Sequence, residues 1–200
     1  ADINLSLAFE VLDYALLSAP GAPLKQALLD AKIGKDIYGS FEDGIKQTYF
    51  SIVAKGANLS QKEEFVKVIR DTFTKIAEEG IDKKAVTAGI NYYEFRFREA
   101  DFSSYPKGLM YGLDILSSWL YDDTKPFCEV QLLEGFEFLK KALEEGYFED
   151  LIRKYLLDNT HGAILSLVPE KGLAAKRDKE LEEKLENYRK SLSDEELTRM

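Results

Sequence analysis

The chain has 200 residues, 45% hydrophobic and 12% aromatic, enough core-forming side chains for one globular domain and too many for wholesale disorder. Its formal net charge of −9 argues against nucleic acid or an anionic membrane as a partner, because phosphate recognition needs a basic surface. No apolar run reaches the roughly 20 residues that span a bilayer, the start Ala1-Asp-Ile-Asn-Leu lacks a signal-peptide core, and the single cysteine, Cys128, excludes an internal disulfide framework, so a cytoplasmic location is expected.

Residues 3–17 carry Ile3, Leu7, Val11, Tyr14 and Leu17, with Leu5, Phe9, Leu12 and Leu16 beside them. This broad apolar face at helical spacing predicts a mostly buried helix. Pro20, Gly21 and Pro23 stop it, and residues 24–31 predict a short second helix closed by Gly34. Strands are expected over residues 37–41 and 47–54, the second with Tyr49, Ser51 and Val53 on one face and Phe50, Ile52 and Ala54 on the other. Asp43-Gly44 between them is a hairpin signal, since both residues tolerate positive φ. Ser60 and Glu63 have capping-box spacing ahead of Phe65, Val68, Ile69, Thr72, Phe73 and Ile76, a helix ending at Gly80.

Tyr93, Phe95 and Phe97 alternate with Glu94, Arg96 and Arg98 as in a strand, whereas Val86, Ile90, Tyr93 and Phe97 recur at helical spacing. The helical match begins earlier, after the cap Asp82, and persists longer, so this segment is read as helix. Beyond Tyr105-Pro106, Leu109, Leu113, Leu116 and Leu120 define another helix, closed near Trp119 and Tyr121. Phe136, Leu139 and Leu143 mark the next, ended by Gly146, and Phe148, Leu151, Ile152, Tyr155 and Leu156 the one after. Asn159 and Gly162 frame an expected strand over residues 163–168, stopped by Pro169. After Gly172 the composition turns strongly charged, with a thin stripe of Leu181, Leu185, Tyr188 and Leu192. Such a helix gains little by itself and reads as an appendage that docks on something outside these residues. Ser193 and Glu196 repeat the capping-box spacing and predict the start of a further helix.

Few residues suggest chemistry. His161 is the chain's one histidine, and a single imidazole in a loop reads as structural or surface rather than as a metal ligand. Cys128 has no basic neighbour to stabilise a thiolate. The acid pairs Asp122-Asp123, Glu144-Glu145 and Glu182-Glu183 read as solvated charge, since adjacent helical positions do not face each other. Ser103-Ser104 and Ser117-Ser118 lack a histidine close in sequence to activate them.

Four stretches are more specific: Val11-Leu-Asp-Tyr-Ala-Leu-Leu17, Pro20-Gly-Ala-Pro-Leu24, Gly89-Ile-Asn-Tyr-Tyr-Glu-Phe95 and Tyr105-Pro-Lys-Gly-Leu109. With the charged tail after Leu167-Val-Pro-Glu170, they resemble the second, non-catalytic domain of the pitrilysin/insulinase family of zinc metalloproteases, of the presequence-protease type. The resemblance covers the whole chain. It implies an α+β fold, a two-layer sandwich of a mostly antiparallel sheet covered by helices, over residues 1–172 and lacking an opening strand. It also implies that residues 173–200 begin the helical hinge between two enzyme halves. The parent would be a zinc-dependent metalloendopeptidase that degrades short unfolded peptides, this part forming chamber wall, with peptide substrates and the other domains of the parent chain as partners.

The zinc expected by that resemblance belongs to an upstream domain, held by His-x-x-Glu-His, which sets two imidazoles on one helix face with a glutamate beside the metal-bound water. His161 is followed by Gly162-Ala163-Ile164-Leu165, so no catalytic residue, metal ligand or cofactor is assigned to this chain, and the chain alone is not expected to be an enzyme. The resemblance further marks Ile37, Tyr38, Gly39, Ser40 and Phe41 as a candidate peptide-binding edge strand, with Gly39 and Ser40 expected to leave the main chain accessible. Its plainer reading is the first arm of a hairpin. Tyr92, Tyr93, Phe95 and Phe97 are read as core packing ahead of chamber lining. A binding or scaffold module that kept the fold without proteolysis is the alternative function.

Overall fold

The computed structural model describes residues 2–100, 102–193 and 196, and the chain divides after Gly162 into two compact units. In the first unit Asp2 caps helix α1 (Ile3–Asp13), its carboxylate accepting from the N–H of Asn4 at 3.1 Å and of Leu5 at 3.3 Å. The helix widens into a π-helical turn, Tyr14–Ser18, and ends where Ala19 becomes extended ahead of Pro20. Helix α2 (Pro23–Asp30) opens on a proline, whose missing N–H has no intrahelical partner to lose at that position. Gly34, at φ 75°, then turns the chain into strand β1 (Asp36–Glu42).

Strand β2 (Tyr49–Lys55) pairs antiparallel with β1, placing Ile37 opposite Ala54, Gly39 opposite Ile52 and Phe41 opposite Phe50. The two form a hairpin, as the alternation predicts, but Asp43 and Gly44 do not make its turn through positive φ; the connection runs over residues 43–48. Helix α3 (Lys62–Glu79) is preceded by a 3-10 turn, Leu59–Gln61. That extra turn moves the unsatisfied N–H groups upstream, so the capping box is Asn58 with Gln61, whose Oε1 accepts from Asn58 N at 3.0 Å, and not Ser60 with Glu63. Helix α4 (Lys83–Glu99) begins at Asp82, which accepts from Lys84 N at 2.9 Å, and ends at Ala100 in the left-handed region, confirming helix over the ambiguous aromatic segment. Helices α5 (Lys107–Trp119), α6 (Leu133–Ala142) and α7 (Tyr147–Leu151) follow, with a 3-10 turn Cys128–Val130 before α6 and a π-helical turn Ile152–Leu157 after α7.

The architecture is α+β, with a small antiparallel sheet and helices supplying most of the core. Helix α1 lies at the centre, buried on nearly every side through Leu7, Ala8, Phe9, Val11 and Leu12, as a helix apolar all round must be. It meets β1, α4 and α6. Phe9 stacks on Phe41 at 5.3 Å between ring centroids and meets Tyr155 edge-on at 5.7 Å, which locks the hairpin to the helical layer. Gly89 permits the close approach of α4 to α1, because a Cβ there would sit 3.0 Å from Tyr14 Cδ1. Buried Glu94 ties α4 to α6: Oε1 accepts from Arg98 Nη2 at 2.6 Å, and Oε2 pairs with Lys140 Nζ at 2.7 Å. Those bonds, Lys140 first and Arg98 second, hold its carboxyl below the usual range. Among the described residues no helix is long and apolar enough to cross a membrane.

In the second unit residues 163–168 form no strand, which corrects the expectation from their sequence. Leu165 and Leu167 are 82% and 89% exposed, and a β-strand requires a hydrogen-bonded neighbour that no described segment supplies. Helix α8 (Leu173–Ser191) buries none of its residues and carries surface ion pairs such as Glu186–Lys190 at 2.8 Å. Ser193 N donates to Glu196 Oε2 at 2.9 Å, the capping contact foreseen, while the helix it would open lies outside the described residues.

Candidate functional site

Strand β1 has two unlike faces. Ile37, Gly39 and Phe41 point into the helical layer with Phe50, Ile52 and Ala54 of β2, whereas Tyr38 and Ser40 lie on the outer face beside Val53 and Ser51. Ile37 is fully buried, Phe41 rests on Phe9, and Tyr38 is 48% exposed. The Ser40 and Ser51 hydroxyls meet across the pair at 3.0 Å. Among the described residues no strand pairs with the other edge of β1. One donor is already used there, Ile37 N, which gives its hydrogen to Asp36 Oδ1 at 2.9 Å.

Gly39 has a role the sequence does not disclose. A Cβ built on it would lie 2.4 Å from Leu17 Cδ1, 2.6 Å from Ser51 O and 3.0 Å from Asp13 Oδ1. Its smallness therefore serves the contact between β1 and the π-helical turn, not access to the outer edge. Of the five residues expected to form a peptide-binding strand, only Tyr38 and Ser40 present side chains away from the core.

Next to this packing lies a group of carboxyls from separate elements. Burial pushes Glu10 on α1 up to about 7, helped by the negative charges of Asp43 and Glu129 and opposed by Arg96. Burial also raises Asp13, Asp43, Asp114 and Glu129, with Asp43 adding to the rise at both Asp114 and Glu129. The Tyr93 hydroxyl is driven upward as well, by burial first and Glu10 second. Asp13 Oδ1 is buried without a hydrogen-bond partner among the described residues. No local pattern marks this group, whose outermost members, Glu10 and Glu129, are 119 positions apart and come together only through the fold.

The sign of its pH effect follows from the raised value. Below the ordinary carboxylate range Glu10 is protonated whether folded or not. Between that range and about 7 the unfolded chain ionises while the folded chain keeps its proton, so stability falls as pH rises, and above about 7 the full penalty is present. Glu10→Gln is expected to stabilise the chain at pH 8 by on the order of 2 kcal/mol, after discounting for partial exposure, and to flatten the slope between pH 4.5 and 7. Urea unfolding of both proteins across that range measures it, and equal stability at pH 8 would contradict the assignment.

The remaining sequence candidates stay apart. His161 Nδ1 faces Gln47 Nε2 at 3.3 Å, and its backbone N–H donates to Asn159 Oδ1 at 2.8 Å. Among the described residues no group of three or more histidine, cysteine, aspartate or glutamate side chains is arranged to hold a metal. The Cys128 thiol donates to Lys125 O at 3.4 Å. Asp122 receives Thr124 Oγ1 at 2.6 Å, Glu144 pairs with Lys83 at 2.6 Å, and Ser117 Oγ donates to Asp114 O at 2.6 Å. The aromatic segment of α4 divides: Tyr93 and Phe97 join the core, Tyr92 stacks on Tyr14 at 5.3 Å, and Phe95 is 62% exposed.

Comparison with known proteins supplies what the geometry does not. Residues 2–93 match the family model described as the Peptidase M16 inactive domain. The chain is 45% identical over 196 residues to Protein HypA of Clostridium perfringens, covering 98% of this chain and 20% of that protein. It is 33% identical over 204 residues to presequence protease 1, chloroplastic/mitochondrial, of Arabidopsis thaliana, covering 100% of this chain and 19% of that protein. The chain thus spans about a fifth of the length of these relatives. The solved structure of an inactive peptidase domain from Bordetella parapertussis shares the fold, with a TM-score of 0.59 at 10% identity over 84% of this chain and 86% of that one.

Proposed function

We propose that the chain, whose residues 2–93 match the Peptidase M16 inactive domain, serves as a non-catalytic part of a longer zinc-dependent metalloendopeptidase that degrades short, unfolded peptides. The observation that carries this reading is likeness along nearly the whole chain to one fifth of a presequence protease, in a sequence whose single histidine cannot form an inverted zinc motif. Zinc and the residues that act on the peptide bond belong, on this reading, to an upstream domain of the parent. This chain contributes chamber wall, and residues 173–200 begin the hinge between enzyme halves. A cytoplasmic setting and peptide substrates complete the proposal, without nucleic acid or membrane as partner. Added zinc and a fluorogenic peptide should give no chelator-sensitive turnover with the 200-residue chain alone, and robust turnover would overturn the non-catalytic role.

Within that role the free edge of β1, residues 37–41, is proposed as a place where an extended peptide adds as a further strand. Strand addition takes its affinity from main-chain hydrogen bonds, with neighbouring side chains setting preference. Tyr38→Ala removes the exposed aromatic beside that edge and leaves the core-facing Ile37, Gly39 and Phe41 in place. In the full-length enzyme it should raise KM about 3- to 10-fold for long peptides, the worth of one such side chain contact, and leave short ones unchanged. An equal change for all lengths would contradict the edge proposal.

A further inference from the structure

An antiparallel pair alternates residues whose main-chain groups meet the partner strand with residues whose groups face away from it. The carbonyls of β2 show which are which. Lys55 O accepts from Lys35 N at 2.7 Å, and Ser51 O lies 2.6 Å from the position of a Cβ on Gly39, so both carbonyls point toward β1. By the same alternation so do those of Tyr49 and Val53. Their partners Asp36, Tyr38, Ser40 and Glu42 therefore spend their main-chain groups inside the hairpin, which leaves the N–H and C=O of Ile37, Gly39 and Phe41 on the free edge. That row is not uniform. The Ile37 N–H donates to the carboxylate of its own neighbour, Asp36 Oδ1, at 2.9 Å, and the same oxygen faces Lys25 Nζ of α2 at 3.5 Å. Among the described residues no side chain takes the N–H of Gly39 or of Phe41.

We infer that Asp36 gates the peptide-binding edge: its carboxylate closes the Ile37 end of β1, so an added peptide strand bonds to Gly39 and Phe41 and stops short of Ile37 unless it displaces that carboxylate. The inference rests on the reading of β1 as a place of strand addition. A row of main-chain donors and acceptors is matched by another extended main chain. Where a carbonyl of that chain comes opposite Ile37, it finds the N–H already taken and a carboxylate oxygen in its place. Charged side chains blunt open sheet edges in this way. The closure is reversible, because the Lys25 and Asp36 side chains are 39% and 59% exposed and an exposed ion pair holds its members weakly. Asp36 acts through the Ile37 N–H and so is a positioning residue, one that sets how far along β1 a bound peptide pairs.

Fluorescence anisotropy with a long and a short unfolded peptide tests this in the full-length polypeptide, kept in chelator so that binding is read without cleavage. Asp36→Ala opens the Ile37 N–H and should lower Kd for the long peptide about 2- to 10-fold, the net worth of one main-chain hydrogen bond, without changing the short one. Asp36→Asn loses the charge that faces Lys25 but keeps an oxygen that accepts from Ile37 N–H, so it should bind the long peptide as the parent does. An Asp36→Ala protein with the parent's Kd for the long peptide would overturn the inference. So would Asp36→Asn matching Asp36→Ala, which would assign the effect to lost charge, and so would an equal change for both lengths, which would make Asp36 merely structural. Tyr38→Ala reads the edge separately. If it weakens the long peptide selectively while Asp36→Ala changes nothing, the edge stands and the gate falls; if neither variant discriminates by length, both fall.

Discussion

Gly39→Val is expected to destabilise the chain by about 3 kcal/mol, lowering the melting temperature by about 6–12 °C, the upper part of the range for overpacking a closed site in a domain of this size. The first added carbon already falls 2.4 Å from Leu17 Cδ1 and 2.6 Å from the carbonyl of Ser51. Leu17 sits in the fully packed core and cannot swing away without displacing its neighbours, and Ser51 O belongs to β2. The branched side chain must therefore push β1 off the π-helical turn. Thermal unfolding of both proteins measures the loss; a melting temperature within about 2 °C of the parent would show that the hairpin is free to move there. The same geometry makes a bulky residue at Gly39 a poor probe of peptide binding, because it would remove the strand along with the edge.

Phe136→Ala is expected to cost about 3–5 kcal/mol, the usual toll for emptying an aromatic site in a closed core. Phe136 is only 1% exposed, on the face of α6 that meets α1 and α4, and its ring lies 6.0 Å from that of Phe97. Gly135 beside it is close to Leu7, a Cβ there falling 3.1 Å from Leu7 Cδ2, so α1 and α6 are held by direct contact and cannot collapse far into the void. Urea unfolding should show a lower midpoint with an unchanged slope, because the same surface is exposed on unfolding. A loss under about 1 kcal/mol would mean that α6 packs loosely, contrary to the core described.

The sequence made the fold legible where apolar periodicity runs unbroken. The all-round apolar α1, the Pro-Gly-Ala-Pro break, the hairpin and α4 after Asp82 appear where their residues place them. Failures occur where local chemistry depends on a partner. Residues 163–168 have strand composition without a strand beside them, and the helix after Asn58 starts in a 3-10 turn that no period reveals. The candidate site was legible only in part. Alternation located β1 and its two faces, but the use of Gly39 is set by Leu17, twenty-two positions away, and the carboxyls of Glu10, Asp43, Asp114 and Glu129 meet only once α1, the hairpin loop and α5 are assembled. The leucine stripe of α5 shows the opposite limit: its spacing predicts a helix, and says nothing about whether that face is covered.

The non-catalytic role is tested most directly by assaying the full-length polypeptide encoded with this chain against a fluorogenic unfolded peptide, before and after chelation and after zinc is restored. The account predicts turnover that disappears with the chelator and returns with zinc, while the 200-residue chain stays inert under all three conditions. A zinc-loaded, folded full-length polypeptide that never cleaves the peptide would contradict it and assign the domain to a binding scaffold.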